Sequence, residues 1–497
     1  MKHFLKNDRL ILISLFVLTI LLRIIFKNAG LYHWDSLKDV LVIEEMLKTG
    51  EIQYSYAYGA PGMVAFVFIF YWIANLLTGT TSAEGAYFFV TFLTSGLAVV
   101  LTYLISKKIT KDSLISIAAA LFLCFNAVFF SATTYPKTHS ISLFFILSSL
   151  YLVFLFNKQK KSWIIALSGL LFGLAVAVRI LNVFMFLPLL FLYLNPKIKN
   201  SKLLIKKYKL KIKYLIYFVI PSIGIWFLLF SKKISELGGL GSYLKFLFIE
   251  QGAAVRWQGL ISPSLTTGLD HIYKSISIAG TILLAIGVLY AIKNYKKLLI
   301  FLALWILPSF FYFANIGNPE ARFFIIIFPA LSILLGVGAK YLYQKNGWLG
   351  ISAILLTIIF MFSIAYPIVK ARHDYSGTKE LGLWVGQNTE ENAIIISNDV
   401  GFFIEYYGNR ERIVHPRSGN DQEIEEFINK LLAYVEEGRT IYTTNEGMGI
   451  DPGQKVLIQI QEHFNVESVG EVQSEVYQFS ELELKRYNEA LFRLIPK

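Results

Sequence analysis

Long apolar runs, separated by short basic loops, dominate the first three quarters of the chain. A helix that crosses the hydrocarbon core of a bilayer needs roughly 17 to 25 mostly apolar residues. Eleven runs reach or approach that length, and they centre near residues 10–26, 85–106, 114–130, 140–156, 163–178, 180–194, 214–231, 276–292, 298–313, 323–339 and 349–367. The pattern predicts an α-helical polytopic membrane protein with about 11 to 13 transmembrane helices.

The pattern changes after Tyr366-Pro367, where short segments of strand and helix period replace the long runs. Residues 370–497 therefore predict a small soluble α/β domain of roughly 120 residues, an ordinary domain size. Strands are predicted at 393–399, 412–416, 439–445 and 475–482, and helices at 400–410, 422–438 and 455–464.

Composition supports the membrane assignment of residues 1–369. The chain is 55% hydrophobic and 16% charged, with a mean hydropathy of +0.55, which a soluble protein of this size does not need. The single cysteine, Cys124, lies in an apolar run and excludes a disulfide or thiol–metal framework. The first run lacks a small-residue cleavage site, so we interpret it as a retained anchor rather than a signal peptide.

The net charge of +13 hides a division between the two parts. Residues 370–497 contain 13 basic and 22 acidic residues, whereas residues 1–369 contain 34 basic and 12 acidic residues. The basic residues lie at the ends of the apolar runs, where they orient membrane helices. Nucleic acid is therefore not an expected partner.

The basic loops also predict the orientation of the chain in a cytoplasmic (plasma) membrane. Six lysine- or arginine-containing loops fall on one side if the short run Met63–Leu77 does not cross fully. The positive-inside rule makes that side cytoplasmic. The N-terminus is then cytoplasmic, and eleven spans place the C-terminal domain outside.

Four loops then face the outside. They are residues 27–84, which form an acidic first loop, 131–139 (SATTYPKTH), 232–275 and 315–322 (NIGNPEAR). Part of the third loop has the apolar spacing of a helix that lies on the membrane surface.

The first loop contains the leading candidate for catalysis. Asp35 can act as a general base, or it can cap the helix that follows it. Asp39 lies four residues later and could join Asp35 in holding a divalent cation. His33 and Trp34 lead into Asp35 and are candidate substrate contacts. Three further acids are expected to be solvated: Glu44, Glu45 and Glu51.

Cations in or beside the apolar runs are candidate phosphate ligands. Arg179, flanked by apolar residues, either binds phosphate through its planar fork or extends to the lipid surface. Lys137, with Tyr135 and His139 in the second outer loop, suits an anionic headgroup or phosphate. Three more residues are candidate substrate contacts, of which the first two could instead pair with each other: Glu320, Arg322 and Arg256.

Several motifs, taken in order, resemble the GT-C superfamily of polytopic glycosyltransferases, and within it the protein O-mannosyltransferase and aminoarabinose-transferase families. The acidic first loop is followed by a Gly/Pro-led apolar helix. The later motifs are SATTYPKTHSISLFFILSSLYLVF, SGLLFGLAVAVRILNVFMFLPLLFLYL, NPEARFFIIIFPALSILLG and WVGQNTEENAIIISNDVGFFIEYYGNR.

The resemblance implies a GT-C-like enzyme that transfers a sugar from a polyprenyl-phosphate donor to an acceptor hydroxyl on the extracytoplasmic face, with inversion. Asp35 matches the first-loop carboxylate that acts as general base, and Arg179 matches a basic residue near the lipid phosphate. The acceptor, whether protein, glycan or lipid, stays open. The second outer loop lacks the acid that many members carry. That departure favours a metal-independent mechanism, although a divalent cation stays open.

Two other classes of function remain as alternatives. A multi-span transporter or lipid flippase usually carries acids within its spans, and this chain has essentially none. A non-catalytic membrane scaffold with an external binding domain leaves the outer acids and Arg179 without a role.

Overall fold

The protein, described by a computed structural model, divides into two compact units. Unit 1 comprises Met1–Phe26, Val42–Val369 and Ser480–Leu482, and unit 2 comprises Lys27–Leu41, Lys370–Phe479 and Glu483–Lys497. The structure describes residues 8–50, 61–79, 82–194, 201–246 (backbone only for 201–213), 258–259, 262–317, 319–398, 400–416, 420–448, 454–475 and 481–497.

Unit 1 is helical. Its helices are α1 (Asp8–Ile25), α3 (Pro61–Thr78), α4 (Ala83–Thr110), α5 (Ser113–Phe125), α6 (Ala127–Ala132), α7 (Thr138–Gln159), α8 (Ser162–Val178), α9 (Phe186–Leu194), α10 (Ser201–Glu236), α11 (Leu240–Lys245), α12 (Ser264–Asn294), α13 (Lys296–Ala314) and α14 (Phe328–Lys345). Two 3₁₀ helices, Ile180–Met185 and Ala321–Ile327, precede α9 and α14. Helices α2 (Trp34–Thr49) and α15 (Gly347–Asp374) each contribute residues to both units.

The polytopic membrane fold is confirmed. Within the described residues, eight helical segments are long and apolar enough to cross a membrane. They are Pro61–Thr78, Ala83–Thr110, Thr138–Gln159, Tyr214–Glu236, Ser264–Asn294, Lys296–Ala314, Ala321–Lys345 and Gly347–Gln387. Three further predicted runs form shorter apolar helices, Ser113–Phe125, Ser162–Val178 and Ile180–Leu194. The first predicted run forms α1.

Two predicted runs need correction. The short run Met63–Leu77, which the predicted orientation requires not to cross fully, is part of α3, which has 18 residues because Pro61 and Gly62 begin the helix. The run at 114–130 is not one helix, since α5 ends at Phe125 and Asn126 caps α6 by accepting a hydrogen bond from the backbone N–H of Phe129. Side-chain capping of this kind satisfies an N–H that has no partner inside the helix.

Small residues let some helices of unit 1 approach closely. Gly169 and Gly173 on α8 face the backbone of α10, where Ser222 donates its hydroxyl hydrogen bond to the carbonyl oxygen of Gly169 at 2.7 Å. This spacing of small residues is typical of membrane helix pairs, in which close backbone packing replaces the hydrophobic drive.

Unit 2 is an α/β domain built on one five-stranded sheet. The strands are β1 (Ile394–Ile396), β2 (Glu411–Ile413), β3 (Ile441–Thr444), β4 (Phe464–Glu475) and β5 (Arg486–Pro496). Their order is β2-β1-β3-β5-β4. Strands β2, β1 and β3 are parallel to one another, and β5 runs antiparallel to both of its neighbours, β3 and β4. The helices are α16 (Gly377–Gln387), α17 (Gly401–Gly408), α18 (Asp421–Glu436), α19 (Asn445–Met448) and α20 (Lys455–His463).

The sheet confirms three predicted strands and corrects the end of the chain. Strands β4 and β5 pair over their whole length but were not predicted. Most of the strand predicted at 475–482 lies outside the described residues. Helix α18 packs on the sheet through Ile424, Phe427, Ile428 and Leu431, which face the buried isoleucines of β1 and β3.

Candidate active site

A cleft opens in unit 1 where several interrupted helices meet. Its lining is mostly apolar, with four polar side chains among ten residues. The lining residues are His139, Ser142, Leu143, Arg179, Leu181, Asn182, Phe313, Phe323, Ile325 and Ile326. A mostly apolar cleft with a few polar groups is the usual form of a small-molecule site.

Arg179 enters this cleft because the helix ends one residue earlier. Its backbone is extended (φ −150°, ψ 112°), so the chain leaves α8 and continues as a 3₁₀ helix. Asn182 secures that break by donating to the carbonyl oxygen of Ala175 at 2.6 Å and to the Ser142 hydroxyl at 2.7 Å. The Arg179 guanidinium donates to Nδ1 of His139, which lies in the first turn of α7.

A second arginine lies beside the first. Arg322, in the 3₁₀ helix before α14, is 6% exposed and forms an ion pair with Glu320. The Phe323 ring is near both cations, with its centroid 5.7 Å from Cζ of Arg179 and 5.9 Å from Cζ of Arg322. An aromatic face within about 6 Å attracts a cation. Phe323 thus contributes a cation–π contact to both arginines.

Glu481 completes this polar cluster. Its Oε1 accepts a hydrogen bond from the Tyr135 hydroxyl at 2.7 Å and lies 3.7 Å from Nη1 of Arg322. Tyr135 is fully buried and Glu481 is 1% exposed. Through Tyr135 and Arg322, the cluster therefore joins residues 131–139 to residues 315–322.

The two arginines differ in charge compensation. Arg322 lies within ion-pair distance of two carboxylates, Glu320 and Glu481. Among the residues that the structure describes, no carboxylate lies within ion-pair distance of Arg179. An arginine in apolar surroundings is costly without an anion, so the geometry leaves room for an anionic ligand at Arg179.

Lys137 is 6% exposed and is the residue that precedes α7, two positions before His139. Its side chain is thus buried in unit 1 rather than extended into solvent.

The predicted residues of the first loop belong to unit 2. Asp35 lies in the first turn of α2, and its side chain is 38% exposed. Its Oδ2 is 3.4 Å from Nδ1 of His33, a ring that is buried. Trp34 stacks on Phe402 at 6.4 Å, and the Lys38 ammonium lies 3.6 Å from the Trp34 ring centroid. These contacts fix the turn that carries Asp35.

The other acids of α2 differ in exposure. Asp39 is 3% exposed. Glu44, which was expected to be solvated, is half-buried, and this burial raises the pKa of its carboxyl group. Glu45 is exposed as expected, and Glu51 lies outside the described residues.

The structure thus groups the candidates by unit. His139 and Arg179 line the cleft, and Tyr135, Glu320 and Arg322 adjoin it, whereas His33, Trp34, Asp35 and Asp39 lie in unit 2. Arg256 lies outside the described residues. Sequence reasoning missed Asn182, Phe323 and Glu481. No local pattern marks Glu481, because its partner Tyr135 lies 346 positions earlier.

In the described part of the chain, no three or more His, Cys, Asp or Glu residues are grouped so that they could hold a metal ion.

Residues 63–226 match the family model of dolichyl-phosphate-mannose-protein mannosyltransferases. The fold is similar to that of ArnT from Cupriavidus metallidurans, solved with undecaprenyl phosphate (TM-score 0.64, 11% identity, 97% of each chain) and in the apo state (TM-score 0.63, 11% identity, 97% of each chain). It is also similar to the Archaeoglobus fulgidus oligosaccharyltransferase in complex with Zn and sulfate (TM-score 0.59, 15% identity, 92% of this chain and 71% of that chain).

A comparison with curated protein sequences found no match. The solved structures establish the fold, and the family model adds a sequence match that covers most of α3, all of α4 to α9 and most of α10. Together, the family match over residues 63–226 and the shared fold indicate a membrane glycosyltransferase with a GT-C-like fold.

Proposed function

We propose that this protein transfers a sugar from a polyprenyl-phosphate donor to an acceptor hydroxyl on the extracytoplasmic face of the membrane, with inversion at the anomeric carbon. The observation that carries the proposal is Arg179, a cation in a mostly apolar cleft that has no carboxylate within ion-pair distance among the described residues. A donor with an apolar tail and a phosphate matches both properties of that cleft.

The comparisons support the donor class. The matching family is named for dolichyl-phosphate-mannose, and one similar fold was solved with undecaprenyl phosphate. Both molecules contain a polyprenyl-phosphate group. Arg179, with His139 beside it, would hold the phosphate, while Arg322 and Lys137 add positive charge nearby. Positive charge at this point stabilises the phosphate as it leaves the sugar.

The reaction is a single displacement. The acceptor oxygen attacks the anomeric carbon from the face opposite the phosphate, and the bond from that carbon to the phosphate oxygen breaks. The bonding electrons leave with the polyprenyl phosphate. The acceptor proton passes to the Asp35 carboxylate, which returns it to water. Inversion follows because one displacement occurs.

The exposure and the local contacts of Asp35 support its role as the general base. Its side chain is partly exposed, so it can reach an acceptor, and its turn is held by the His33 and Trp34 contacts. His33, Trp34 and Asp39 would contact the acceptor or the sugar. Arg256 and Glu320 remain proposed substrate contacts.

The test is sugar transfer by the full-length protein in liposomes, with polyprenyl-phosphate sugars and a panel of protein, glycan and lipid acceptors. General-base catalysis typically contributes about 10²- to 10⁴-fold, so Asp35→Asn should lower kcat by that factor. Glu45→Gln, an exposed acid on the same helix, is the matched control and should transfer at the wild-type rate.

Addition of EDTA separates the metal question from the base. Transfer that survives EDTA but is lost in Asp35→Asn supports a metal-independent base mechanism, whereas loss in EDTA assigns a divalent cation to the site. Undiminished transfer by Asp35→Asn would remove the role proposed for this residue.

A further inference from the structure

Glu481 is a buried carboxylate for which sequence reasoning assigned no role. It belongs to unit 1, although the residues on either side of Ser480–Leu482 belong to unit 2. Its neighbour Leu482 packs against an apolar cluster that includes Phe26, Phe130 and Val369. The position of Glu481 is therefore fixed by packing as well as by its polar contacts.

Burial makes this charge expensive. A carboxylate that is 1% exposed needs hydrogen bonds or a cation to offset the loss of water. The Tyr135 hydroxyl donates to Oε1, and Arg322 supplies the cation. The second oxygen, Oε2, has no hydrogen-bond partner among the described residues. Glu481 thus remains incompletely compensated by its neighbours.

The two arginines at the cleft have two carboxylates as neighbours. The cations are Arg179 and Arg322, and the carboxylates are Glu320 and Glu481. Arg322 and both carboxylates act electrostatically on the Arg179 guanidinium. An incoming phosphate therefore meets two carboxylates besides the arginines. Repulsion from those carboxylates lowers its affinity, and in a cleft of low polarity such interactions are weakly screened.

We propose that Glu481 is a positioning residue that holds Tyr135 and Arg322 and, through its charge, limits the affinity of the site for the released polyprenyl phosphate. This inference rests on the proposed function. The apolar tail makes such a product slow to leave, and product release limits kcat in many enzymes. A fixed negative charge near the phosphate opposes that retention without altering the apolar lining.

The test is equilibrium binding of undecaprenyl phosphate to the purified full-length protein, together with product inhibition of sugar transfer. Glu481→Gln keeps an acceptor for the Tyr135 hydroxyl and removes the charge. We expect it to bind undecaprenyl phosphate about tenfold more tightly, with a matching fall in the product-inhibition constant. In the same variant, kcat should fall together with KM. Glu481→Asp, which keeps the charge, should bind undecaprenyl phosphate with an affinity within about twofold of that of the wild type.

The matched control is Glu483→Gln, because Glu483 lies two residues later, is exposed and pairs with Lys485. Its affinity for undecaprenyl phosphate should not change. If Glu481→Gln does not fold, Glu320→Gln is the alternative test, because it removes the other carboxylate that pairs with Arg322. The proposal then requires Glu320→Gln to bind undecaprenyl phosphate more tightly than the wild type does.

Unchanged or weaker binding by a folded Glu481→Gln would show that the residue is only structural. That result would leave the proposed function intact, provided that the wild type binds undecaprenyl phosphate and transfers sugar. Absence of saturable binding by the wild type would instead overturn the proposed function, and this inference with it.

Discussion

At Arg179, one polar side chain interrupts an apolar hairpin, and the helix ends to accommodate it. Replacing it with methionine preserves much of the apolar contact and removes the charge. Arg179→Met should lower sugar transfer by about 10²- to 10³-fold, because the leaving phosphate loses charge stabilisation. Arg179→Lys should recover only part of the lost rate of sugar transfer, since lysine lacks the planar fork of the arginine guanidinium. The measurement is kcat/KM for the polyprenyl-phosphate sugar in liposomes.

Arg493→Met is the matched control for this prediction, because Arg493 lies on β5 in unit 2 and is partly exposed. It should retain wild-type transfer. Equal activity of Arg179→Met and the wild type would mean that the phosphate binds elsewhere.

Single residues were predictable where the local sequence already made them unusual. Arg179 stands among apolar neighbours, and burial of a cation there is costly enough to mark a site. Arg23 carries the same signal in α1 but was not singled out. It is fully buried and donates to the Thr133 hydroxyl at 2.9 Å and to the carbonyl oxygen of Cys124 at 3.0 Å. Glu481 could not be found in this way, because its contacts depend on the folded chain.

At the scale of elements, length and hydropathy predicted the membrane helices because a bilayer requires long apolar runs. The breaks were harder to predict. Asn126 and Arg179 each end a helix inside an apolar stretch, and neither break has a proline. Strands β4 and β5 were missed since much of β4 is exposed, so it lacks a clear apolar period.

The α8–α10 pair gives a prediction at this scale. A Cβ atom on Gly169 would overlap the backbone carbonyl oxygen of Phe218, which cannot move independently of α10. Gly169→Ala should lower the free energy of unfolding by about 1 to 3 kcal/mol through overpacking. The measurement is thermal unfolding of the full-length protein in detergent.

Gly224 on α10 provides the matched control, because a Cβ there meets no described atom within 4 Å. Gly224→Ala should be neutral or stabilise the protein by up to about 1 kcal/mol, as alanine favours the helix. Equal stability of both variants would show that α8 and α10 do not pack this closely.

At the scale of the whole molecule, the division between a basic membrane part and an acidic α/β part was predictable from composition alone. The orientation of the chain is a separate matter and depends on α3. If α3 does not cross, the eleven other predicted runs place the two ends on opposite sides of the membrane. If it crosses fully, twelve crossings place both ends on the same side, and the basic loops no longer share one face.

Cysteine labelling distinguishes these arrangements, because the one native cysteine, Cys124, is fully buried and should not react. Gln461→Cys, exposed on α20, should react with a membrane-impermeant maleimide in intact cells. Lys158→Cys, exposed at the end of α7, should react only after permeabilisation. The reverse pattern, with Lys158→Cys reactive in intact cells and Gln461→Cys only after permeabilisation, is expected if α3 crosses fully from a cytoplasmic N-terminus, because the loops after α3 then change sides. The acidic domain would then lie on the side opposite to the proposed acceptor. Reaction of both variants only after permeabilisation would contradict both arrangements, because the seven predicted runs between Lys158 and α20 place the two sites on opposite faces.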